Sequence, residues 1–438
     1  MSSRLSLDTS FLNATTADHH GITQQTIDST QANVESAIAS VEQQLGQGRY
    51  GFVEVVTQPD EFLKQVREVF ARLEWARTLV VVGIGGSDLG GRAVQQALQS
   101  DQPPLEVVFH GDSTDPEQIR RLKRRIDLSS TVFNIVSKSG QTVETISQYV
   151  LFKELLRQEE ATAQNWQKHF VFTTDRQKGI LRDEADREKI ATLPIPDNVG
   201  GRFSVQTPVG LFPAVAMGVD IEQLVTGQRE FALDSQSRAL SQQLAAGQYR
   251  LYAQGTKLTV LMAYSIQLEE FARWFRQLWA ESLGKDGKGI LPIKAYGPAD
   301  QHSQAQFYNQ GEPLQSVLFV RLEQRRQDYR LGSVGIPELE YLAGHSFHQI
   351  INIEQEASAL SLKKAGRPTA TLSIDSLDAY SLGQLFMFFE LAVVYLAEMI
   401  GVNAFDQPGV EESKQMMYAL LGRQGFDDKR SEIEQLRG

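Results

Sequence analysis

The feature that most constrains the fold is an alternation of short apolar runs, rich in β-branched and aromatic residues, with segments of helical period. In the first half of the chain the runs lie at 79–82, 105–110, 132–136 and 170–173. Segments of helical period lie between these runs at 91–99, 116–125 and 143–158. Strands that alternate with helices in this way are joined by crossover connections, which place the strands parallel in one sheet.

A second set of apolar runs follows at 258–262, 317–322 and 370–374, with helices predicted at 265–282, 339–355 and 379–401. The sequence therefore predicts an α/β protein of two αβα sandwich halves with parallel, flavodoxin-like sheets. The predicted division is a helical N-terminal arm at 1–44, a first domain at 45–225, a second domain at 226–411 and a helical C-terminal tail at 412–438. No short repeat of fixed period occurs, which excludes a solenoid.

Charge and cysteine content exclude several classes of partner and chemistry. The 438 residues carry 43 basic and 54 acidic side chains, for a formal charge of -11. This charge repels nucleic acid and anionic membrane surfaces, although a local basic cleft can still hold a small anion. The chain has no cysteine, so disulfides and thiolate chemistry are excluded, and a zinc site would need ligands from seven histidines or from carboxylates. A cytoplasmic location is expected, since the N-terminal segment has no apolar signal region.

One segment, 382–402, is apolar and long enough to resemble a membrane span. It contains Gln384, Glu390 and Glu398, and each of these side chains is costly in lipid. We therefore expect a central helix that is buried by the rest of the fold or by a second subunit, and no membrane partner.

The stretch SKSGQT at 137–142 follows the predicted strand 132–136 and precedes a predicted helix. Ligands bind at the carboxyl ends of parallel strands, and free amides at a helix N-terminus attract phosphate. The hydroxyl groups of the stretch add further donors, and Lys138 can add positive charge. Taken alone, the same pattern also fits an ordinary Ser/Thr helix cap, with Glu144 and Thr145 in the first turn.

The glycine-rich loop GIGGSDLGG at 83–91 follows the first predicted strand. A dinucleotide fingerprint that starts at Gly83 requires a third glycine at position 88, which is Asp88, and no triphosphate-binding loop occurs in the chain. The loop is therefore interpreted as a turn that brings backbone amides and Ser87 close to a ligand, or as a tight packing turn between strand and helix.

Two further segments carry charged groups suited to catalysis. Arg202 follows two glycines in VGGRFS and can either stabilise an oxyanion or form a structural ion pair. Gln277 and Glu281 lie four residues apart on the predicted helix 265–282, so they share one face near its end. A carboxylate in aromatic surroundings can act as a general base, although a single Glu is more often solvated.

Together, these segments resemble the glucose-6-phosphate isomerase (phosphoglucose isomerase) family. The family signature near the C-terminus, Phe-Asp-Gln-x-Gly-Val-Glu-x-x-Lys, is matched by FDQPGVEESK at 405–414. A second signature, Gly-Gly-Arg-Phe-Ser, is matched by residues 200–204. Five separate motifs occur in the family order between about 83 and 417.

The resemblance implies two sugar-isomerase (SIS) domains, a homodimer, and reversible interconversion of glucose 6-phosphate and fructose 6-phosphate, a step of glycolysis and gluconeogenesis, without metal or cofactor. It assigns the proton-transferring base to Glu281, the cation beside the enediolate to Arg202, and ring opening to His302, which the partner subunit supplies in that family. Lys414 matches a further catalytic group. The matched substrate contacts are Gly86, Ser87, Ser137, Lys138, Ser139, Thr142, Thr145, Gln277 and Gln407.

Isomerisation needs a base that moves one proton, a cation for the developing oxyanion, and an acid–base group for ring opening. Glu281, Arg202 and the pair of His302 and Lys414 provide that set. A sugar-phosphate sensor would keep the phosphate loop without the base, and a glutamine-dependent hexosamine synthase would need a nucleophilic cysteine. The SKSGQT loop also has fewer threonines than many family members, so it fits sugar isomerases in general.

Overall fold

The computed structural model describes residues 3–14 and 19–438. Among these residues the strands are β1 (Leu5–Asp8), β2 (Thr78–Val82), β3 (Glu106–His110), β4 (Thr131–Val136), β5 (Phe170–Asp175), β6 (Ala191–Ile195), β7 (Leu258–Ala263), β8 (Leu291–Tyr296), β9 (Gln315–Gln324) and β10 (Thr369–Ser376). The α-helices of the same residues are α1 (Gln24–Gly46), α2 (Gly51–Thr57), α3 (Asp60–Phe70), α4 (Leu89–Leu98), α5 (Pro116–Arg125), α6 (Val143–Gln158), α7 (Ile180–Glu188), α8 (Pro208–Ala216), α9 (Ile221–Leu233), α10 (Ser235–Ala253), α11 (Glu269–Leu283), α12 (Gly297–Ser303), α13 (Ala305–Gln310), α14 (Phe347–Lys364), α15 (Ala379–Ile400), α16 (Glu411–Leu420) and α17 (Asp427–Arg437).

The first sheet has the strand order β3-β2-β4-β5-β6, and each neighbouring pair is parallel. Numbered along the chain, these strands stand in the flavodoxin-like order 2-1-3-4-5. The central strand β2 reads TLVVV and is buried at every position, as expected for a parallel strand covered by helices on both faces. The strand order reverses between β2 and β4, so the loops that follow these two strands border a crevice.

The second sheet has the order β1-β10-β9-β7-β8. Strands β7 to β10 are parallel and repeat the flavodoxin-like order, whereas β1 adds antiparallel to β10, with Leu5 opposite Ile374. The predicted N-terminal arm is therefore helical over α1 but also supplies an edge strand to the second half. Residues 1–2 and 15–18 of the arm lie outside the described residues.

The helix α15 lies at the centre of the molecule. In the described part of the chain it is the one helix long and apolar enough to cross a membrane, yet 94% of its most apolar window is buried inside the protein. The helices α1, α9, α10 and α11 pack against it. Each fully buried Leu or Phe side chain of such a helix contributes about 1.5–3 kcal/mol to stability. The segment 382–402 is thus buried by the fold, as the sequence predicted.

The strands β6 and β8 were not predicted from the sequence, for the same physical reason. Both β6 and β8 contain a proline, Pro194 and Pro292, which argues against a strand in the sequence. Each lies at the edge of its sheet, where a missing backbone N–H is tolerated.

The predicted helix 339–355 is wrong in its bounds. The segment Pro337–Leu342 is a 3₁₀ turn, and α14 begins only at Phe347, after a capping box formed by Ser346 and Gln349. Gly344, with φ of +79°, separates the two elements, because a left-handed backbone cannot continue a helix. The fold class predicted from the sequence is confirmed, and the domain boundaries near 44, 225 and 411 stay a prediction.

Candidate active site

A cleft of about 1080 Å³ opens at the carboxyl ends of β2 and β4, where the strand order of the first sheet reverses. The loops after β2 and β4, the end of α11, and the segment 405–414 line this cleft. Of the site residues predicted from the sequence, the structure brings together Gly86, Ser87, Ser137, Lys138, Ser139, Thr142, Arg202, Gln277, Glu281, Gln407 and Lys414.

The loop after β4 is shaped by its own hydroxyl groups. Ser137 Oγ accepts a hydrogen bond from the Gly140 backbone N–H at 3.1 Å and lies 3.2 Å from Thr142 Oγ1. Gly140 has a φ of +64°, and a Cβ there would lie 2.9 Å from the Leu181 nitrogen. Only glycine fits this turn without strain.

Thr142 occupies the N-cap position of α6, but its side chain caps none of the helix amides that the structure describes. The ordinary Ser/Thr helix cap, which the sequence left as an alternative interpretation of this loop, is therefore not formed. Thr142 lines the cleft, so the N-terminus of α6 lies at the cleft, and a helix N-terminus favours an anion.

Lys138 belongs to the loop after β4, the phosphate-type loop 137–142, and its side chain reaches the segment before Arg202. Its Nζ donates hydrogen bonds to the carbonyl oxygens of Asp197 at 2.7 Å and Val199 at 3.1 Å. Burial lowers the pKa of Lys138, and the negative charges of Asp197 and Asp175 oppose that effect. The ammonium thus joins two walls of the cleft.

The turn at 85–87 makes one of the closest backbone contacts in the site. A Cβ built on Gly86 would lie 2.2 Å from the Gly201 carbonyl carbon and 2.6 Å from the Arg202 nitrogen. Ser204 Oγ also donates to the Gly86 carbonyl at 3.2 Å. Both interpretations of this glycine loop are therefore compatible: it is a tight packing turn, and it lines the cleft.

Arg202 is buried, with a relative exposure of 3%, and its guanidinium makes five hydrogen bonds. The Nε atom donates to Ser282 Oγ at 2.8 Å. The Nη1 atom donates to Glu281 Oε2 at 3.2 Å and to Gln407 Oε1 at 2.9 Å. The Nη2 atom donates to the carbonyls of Ala404 and Asp406. Burial lowers the Arg202 pKa, while Glu281 and Asp406 raise it.

Glu281 is held at both carboxylate oxygens near the end of α11. Oε1 accepts from Gln277 Nε2 at 3.0 Å, one helical turn away, and Oε2 accepts from Arg202. The side chain retains 31% exposure and lines the cleft, while Phe275 and Trp279 on the same helix are fully buried. The carboxylate is thus fixed in direction and open on one side.

The segment 405–414, which follows α15 in the second half of the chain, forms one wall of the cleft. Gln407 contributes the amide oxygen that accepts from Arg202, and Lys414 lies on α16 at the rim, with its Nζ 2.8 Å from Glu411 Oε1. Tyr418, further along α16, donates its hydroxyl to the Gln141 carbonyl at 3.0 Å. The C-terminal tail is therefore docked on the loop after β4.

Two predicted site residues do not line the cleft of their own chain. His302 lies on α12 and is exposed. Thr145 lies in the first turn of α6, is fully buried, and its Oγ1 has no hydrogen-bond partner among the described atoms.

The cleft also contains residues that the sequence did not single out, including Arg49, Tyr50, Lys178 and Asn198. Lys178 follows β5, so the strand-end rule that selected the loop after β4 could have found it. Arg49 and Tyr50 precede α2 without any motif, and only the tertiary fold brings them to the site. In the described residues no group of three or more His, Asp or Glu is placed to hold a metal ion.

The two flavodoxin-like sheets, with a phosphate-type loop and a carboxylate–guanidinium pair in one cleft, define the class of α/β sugar-phosphate isomerases. In fold, the structure matches a crystal structure of a glucose-6-phosphate isomerase from Chlamydia trachomatis, with a TM-score of 0.74 at 24% identity, over 86% of this chain and 76% of that chain. It matches a hypothetical protein from Thermus thermophilus with a TM-score of 0.83 at 32% identity, over 95% and 99% of the two chains.

The sequence itself is matched by the family model for phosphoglucose isomerase over residues 54–434. A glucose-6-phosphate isomerase from Carboxydothermus hydrogenoformans is 37% identical over 435 residues, which cover 93% of this chain and 92% of that protein. The chain belongs to the phosphoglucose isomerase family. The resemblance inferred from the five motifs is confirmed.

Proposed function

We propose that the chain interconverts glucose 6-phosphate and fructose 6-phosphate in this cleft, with Glu281 as the base that moves the proton. The observation that carries this proposal is the pairing of Glu281 with Arg202 at 3.2 Å, opposite the loop 137–142. A sensor of sugar phosphates would need the loop but not a carboxylate held by two donors and open to the ligand.

In the proposed reaction the Glu281 carboxylate removes the proton from C2 of the open-chain aldose. The electron pair of the broken C–H bond forms the C1–C2 double bond, and the carbonyl electrons move onto O1. The resulting enediolate is stabilised by the Arg202 guanidinium, which is buried and therefore acts in a site of low polarity. Glu281 then returns the proton to C1, and the O2 hydroxyl becomes the ketone carbonyl as its proton moves to O1.

The phosphate group takes no part in the bond changes and serves as an anchor. The amides at the start of α6, the hydroxyls of Ser137, Ser139 and Thr142, and the Lys138 ammonium provide donors at one end of the cleft. Gly86, Ser87, Gln277 and Gln407 are proposed to contact the sugar. Binding energy from the remote phosphate then holds C1 and C2 beside the carboxylate.

Ring opening needs a further acid–base group, and we assign it to His302 of a second subunit together with Lys414. His302 is exposed on α12, and α12 packs against α14. The surface around these helices exposes several large apolar side chains: Phe307, Tyr329, Ile336, Leu339, Tyr341, Phe347, Ile353 and Leu360. An apolar surface of this kind favours association, so a homodimer with a shared active site is part of the proposal.

The proposed chemistry requires neither metal nor organic cofactor, because one carboxylate transfers the proton and one guanidinium meets the negative charge. A net charge of -11 disfavours nucleic acid as a partner. The absence of cysteine from the whole sequence and the burial of α15 fit a cytoplasmic enzyme that does not use a membrane.

A coupled assay that converts fructose 6-phosphate to glucose 6-phosphate tests the activity, and Glu281→Gln tests the base. Gln keeps the shape, and its amide oxygen can still accept from Arg202, so we expect kcat to fall by about 10²-fold or more with sugar-phosphate affinity retained. Glu269→Gln, at the other end of α11, is the matched control. Sugar-phosphate binding without turnover in the wild type would favour the sensor, and normal turnover of Glu281→Gln would exclude this base.

A further inference from the structure

The short turn between α11 and β8 contains two lysines whose side chains point back towards the segment that follows α15. The turn is built on Asp286 and Gly287, with φ of +54° and +70°, and the Lys288 N–H donates to the Lys285 carbonyl at 2.8 Å. Neither lysine lines the cleft. Their position is nevertheless fixed relative to Glu281, which lies near the end of the preceding helix.

Lys285 is buried to an unusual degree for a lysine, with a side-chain exposure of 6%. Its Nζ lies 2.9 Å from Asp406 Oδ1, donates to the Ser282 carbonyl at 3.3 Å, and donates to the Asn403 carbonyl. The ammonium group has three protons, and three oxygen atoms lie around it as acceptors. Burial lowers the Lys285 pKa, and Asp406 opposes that effect.

The partners of Lys285 belong to the same two segments that bind Arg202. The guanidinium of Arg202 bonds to Glu281 and Ser282 at the end of α11, and to Ala404, Asp406 and Gln407 after α15. Lys285 joins Ser282 to Asn403 and Asp406 from outside the cleft. One cation holds the two segments from within the site, and the other holds them from behind.

Lys288 makes a different connection. Its Nζ donates to the carbonyls of Ile400 and Gly401 at 3.2 and 3.4 Å, at the C-terminal end of α15. A cation at that position satisfies free carbonyls and the helix dipole, which stabilises the helix end. None of the described hydrogen bonds of Lys288 reaches a group that contacts Arg202.

We propose that Lys285 is a positioning residue for the isomerisation: with Asp406 it fixes the turn 403–407 against the end of α11 and so sets the distance between Arg202 and Glu281. The proposal rests on the roles of Glu281 and Arg202 proposed above. Without the tether, the carbonyls of Ala404 and Asp406 and the amide of Gln407 shift, and the guanidinium that depends on them shifts as well.

Lys285→Met tests the tether, because it keeps the length of the side chain and removes the charge. We expect kcat to fall by about 10- to 100-fold while KM changes less than about threefold, since displacements of about 1 Å can cost this much in rate. Asp406→Asn should reproduce the effect, and the double variant should be no worse than either single one. Lys285→Arg should recover part of kcat.

Lys288→Met is the matched control, since it removes the same charge from the same turn. We expect it to lower the melting temperature but to leave kcat within about twofold of the wild type. Equal losses of kcat in the Lys285 and Lys288 variants, or normal kcat in folded Lys285→Met, would overturn the proposal. A wild-type protein without isomerase activity would instead refute the proposed function, so the two failures are distinguishable.

Discussion

Arg202 Nη1 lies 3.2 Å from Glu281 Oε2, so the cation proposed to stabilise the intermediate also orients the proposed base. Two further hydrogen bonds fix the orientation of the guanidinium plane: Nη1 donates to Gln407, and Nε donates to Ser282. A planar donor with fixed partners needs little reorganisation when negative charge develops on the substrate. The pair is therefore a preorganised unit rather than two separate catalytic groups.

Replacing Arg202 by Lys should lower the catalytic rate severely, although the positive charge is retained. An ammonium cannot reproduce the five directed hydrogen bonds of the guanidinium, and it leaves the Ala404 and Asp406 carbonyls without their donor. We expect kcat to fall by about 10²- to 10³-fold, which steady-state kinetics with fructose 6-phosphate measures. Arg430→Lys, on α17, provides the control, and an Arg202→Lys enzyme with near-normal kcat would contradict the assigned role.

Lys138→Ala and Thr142→Ala should act mainly on substrate binding. Both residues lie at the end of the cleft where the amides of α6 begin, and neither contacts Glu281 in the described hydrogen bonds. We expect KM to rise by about tenfold for each, with a smaller effect on kcat. Lys64→Ala, at an exposed position of α3, is the control. An unchanged KM in both variants would move the phosphate to another part of the cleft.

Gly86→Ala should disturb catalysis through the backbone. The added Cβ would lie 2.2 Å from the Gly201 carbonyl carbon, so the loop that carries Arg202 must move. We expect loss of kcat by about 10-fold or more together with a lower melting temperature. A Cβ at Gly46 meets no atom within 4 Å, which makes Gly46→Ala the matched control. Equal activity of the two variants would show that the loop tolerates the displacement.

The buried carboxyl of Glu390 predicts a pH dependence of stability. Complete burial raises its pKa well above the ordinary value of 4.5, and the hydrogen bond from Gln206 opposes this only in part. Between the two pKa values the folded protein keeps a proton that the unfolded chain releases, so stability falls as pH rises through this window. The side chain of Gln does not titrate in this window, so the Glu390→Gln variant lacks this contribution to the pH dependence of stability.

The stability of Glu390→Gln relative to wild type should therefore increase with pH across the window, by at most about 1.4 kcal/mol per pH unit. Urea unfolding at mildly acidic, neutral and mildly alkaline pH measures this difference. Glu398→Gln, at an exposed position of the same helix, controls for replacement of a carboxyl. A difference between Glu390→Gln and wild type that does not change with pH would mean that Glu390 is ionised in the folded protein.

The sequence predicted the parts of the fold that depend on local pattern. The continuous apolar run of β2 and the helices α5 and α6 are recognisable because burial on both faces and helical period leave a clear signal. The strands β6 and β8 were not predictable in this way, because proline is acceptable only at an edge and the edge position is a property of the sheet. The pairing of β1 with β10 joins residues from opposite ends of the chain, which no local pattern encodes.

The candidate site also contains some residues that a local pattern indicates and others that only tertiary contacts reveal. The loop 137–142 and Glu281 could be named as candidates from local chemistry, since each follows or ends an element with a recognisable pattern, but the role of Glu281 as the base came from the resemblance to the family. Lys285 could not be selected, because its burial depends on contact with Asn403 and Asp406, which lie far away in the sequence. His302 stays a prediction for the same reason, since its proposed place is in the cleft of another subunit.

The central position of α15 has a consequence for how the chain can be divided. This helix belongs to the second half of the sequence, yet its neighbours include α9, which lies at the junction of the halves, and one continuous apolar core reaches from β2 to β10 through it. A fragment that ends near residue 225 would expose part of that core to water. The chain should therefore melt in one cooperative transition, and neither half should be a stable unit when produced without the other.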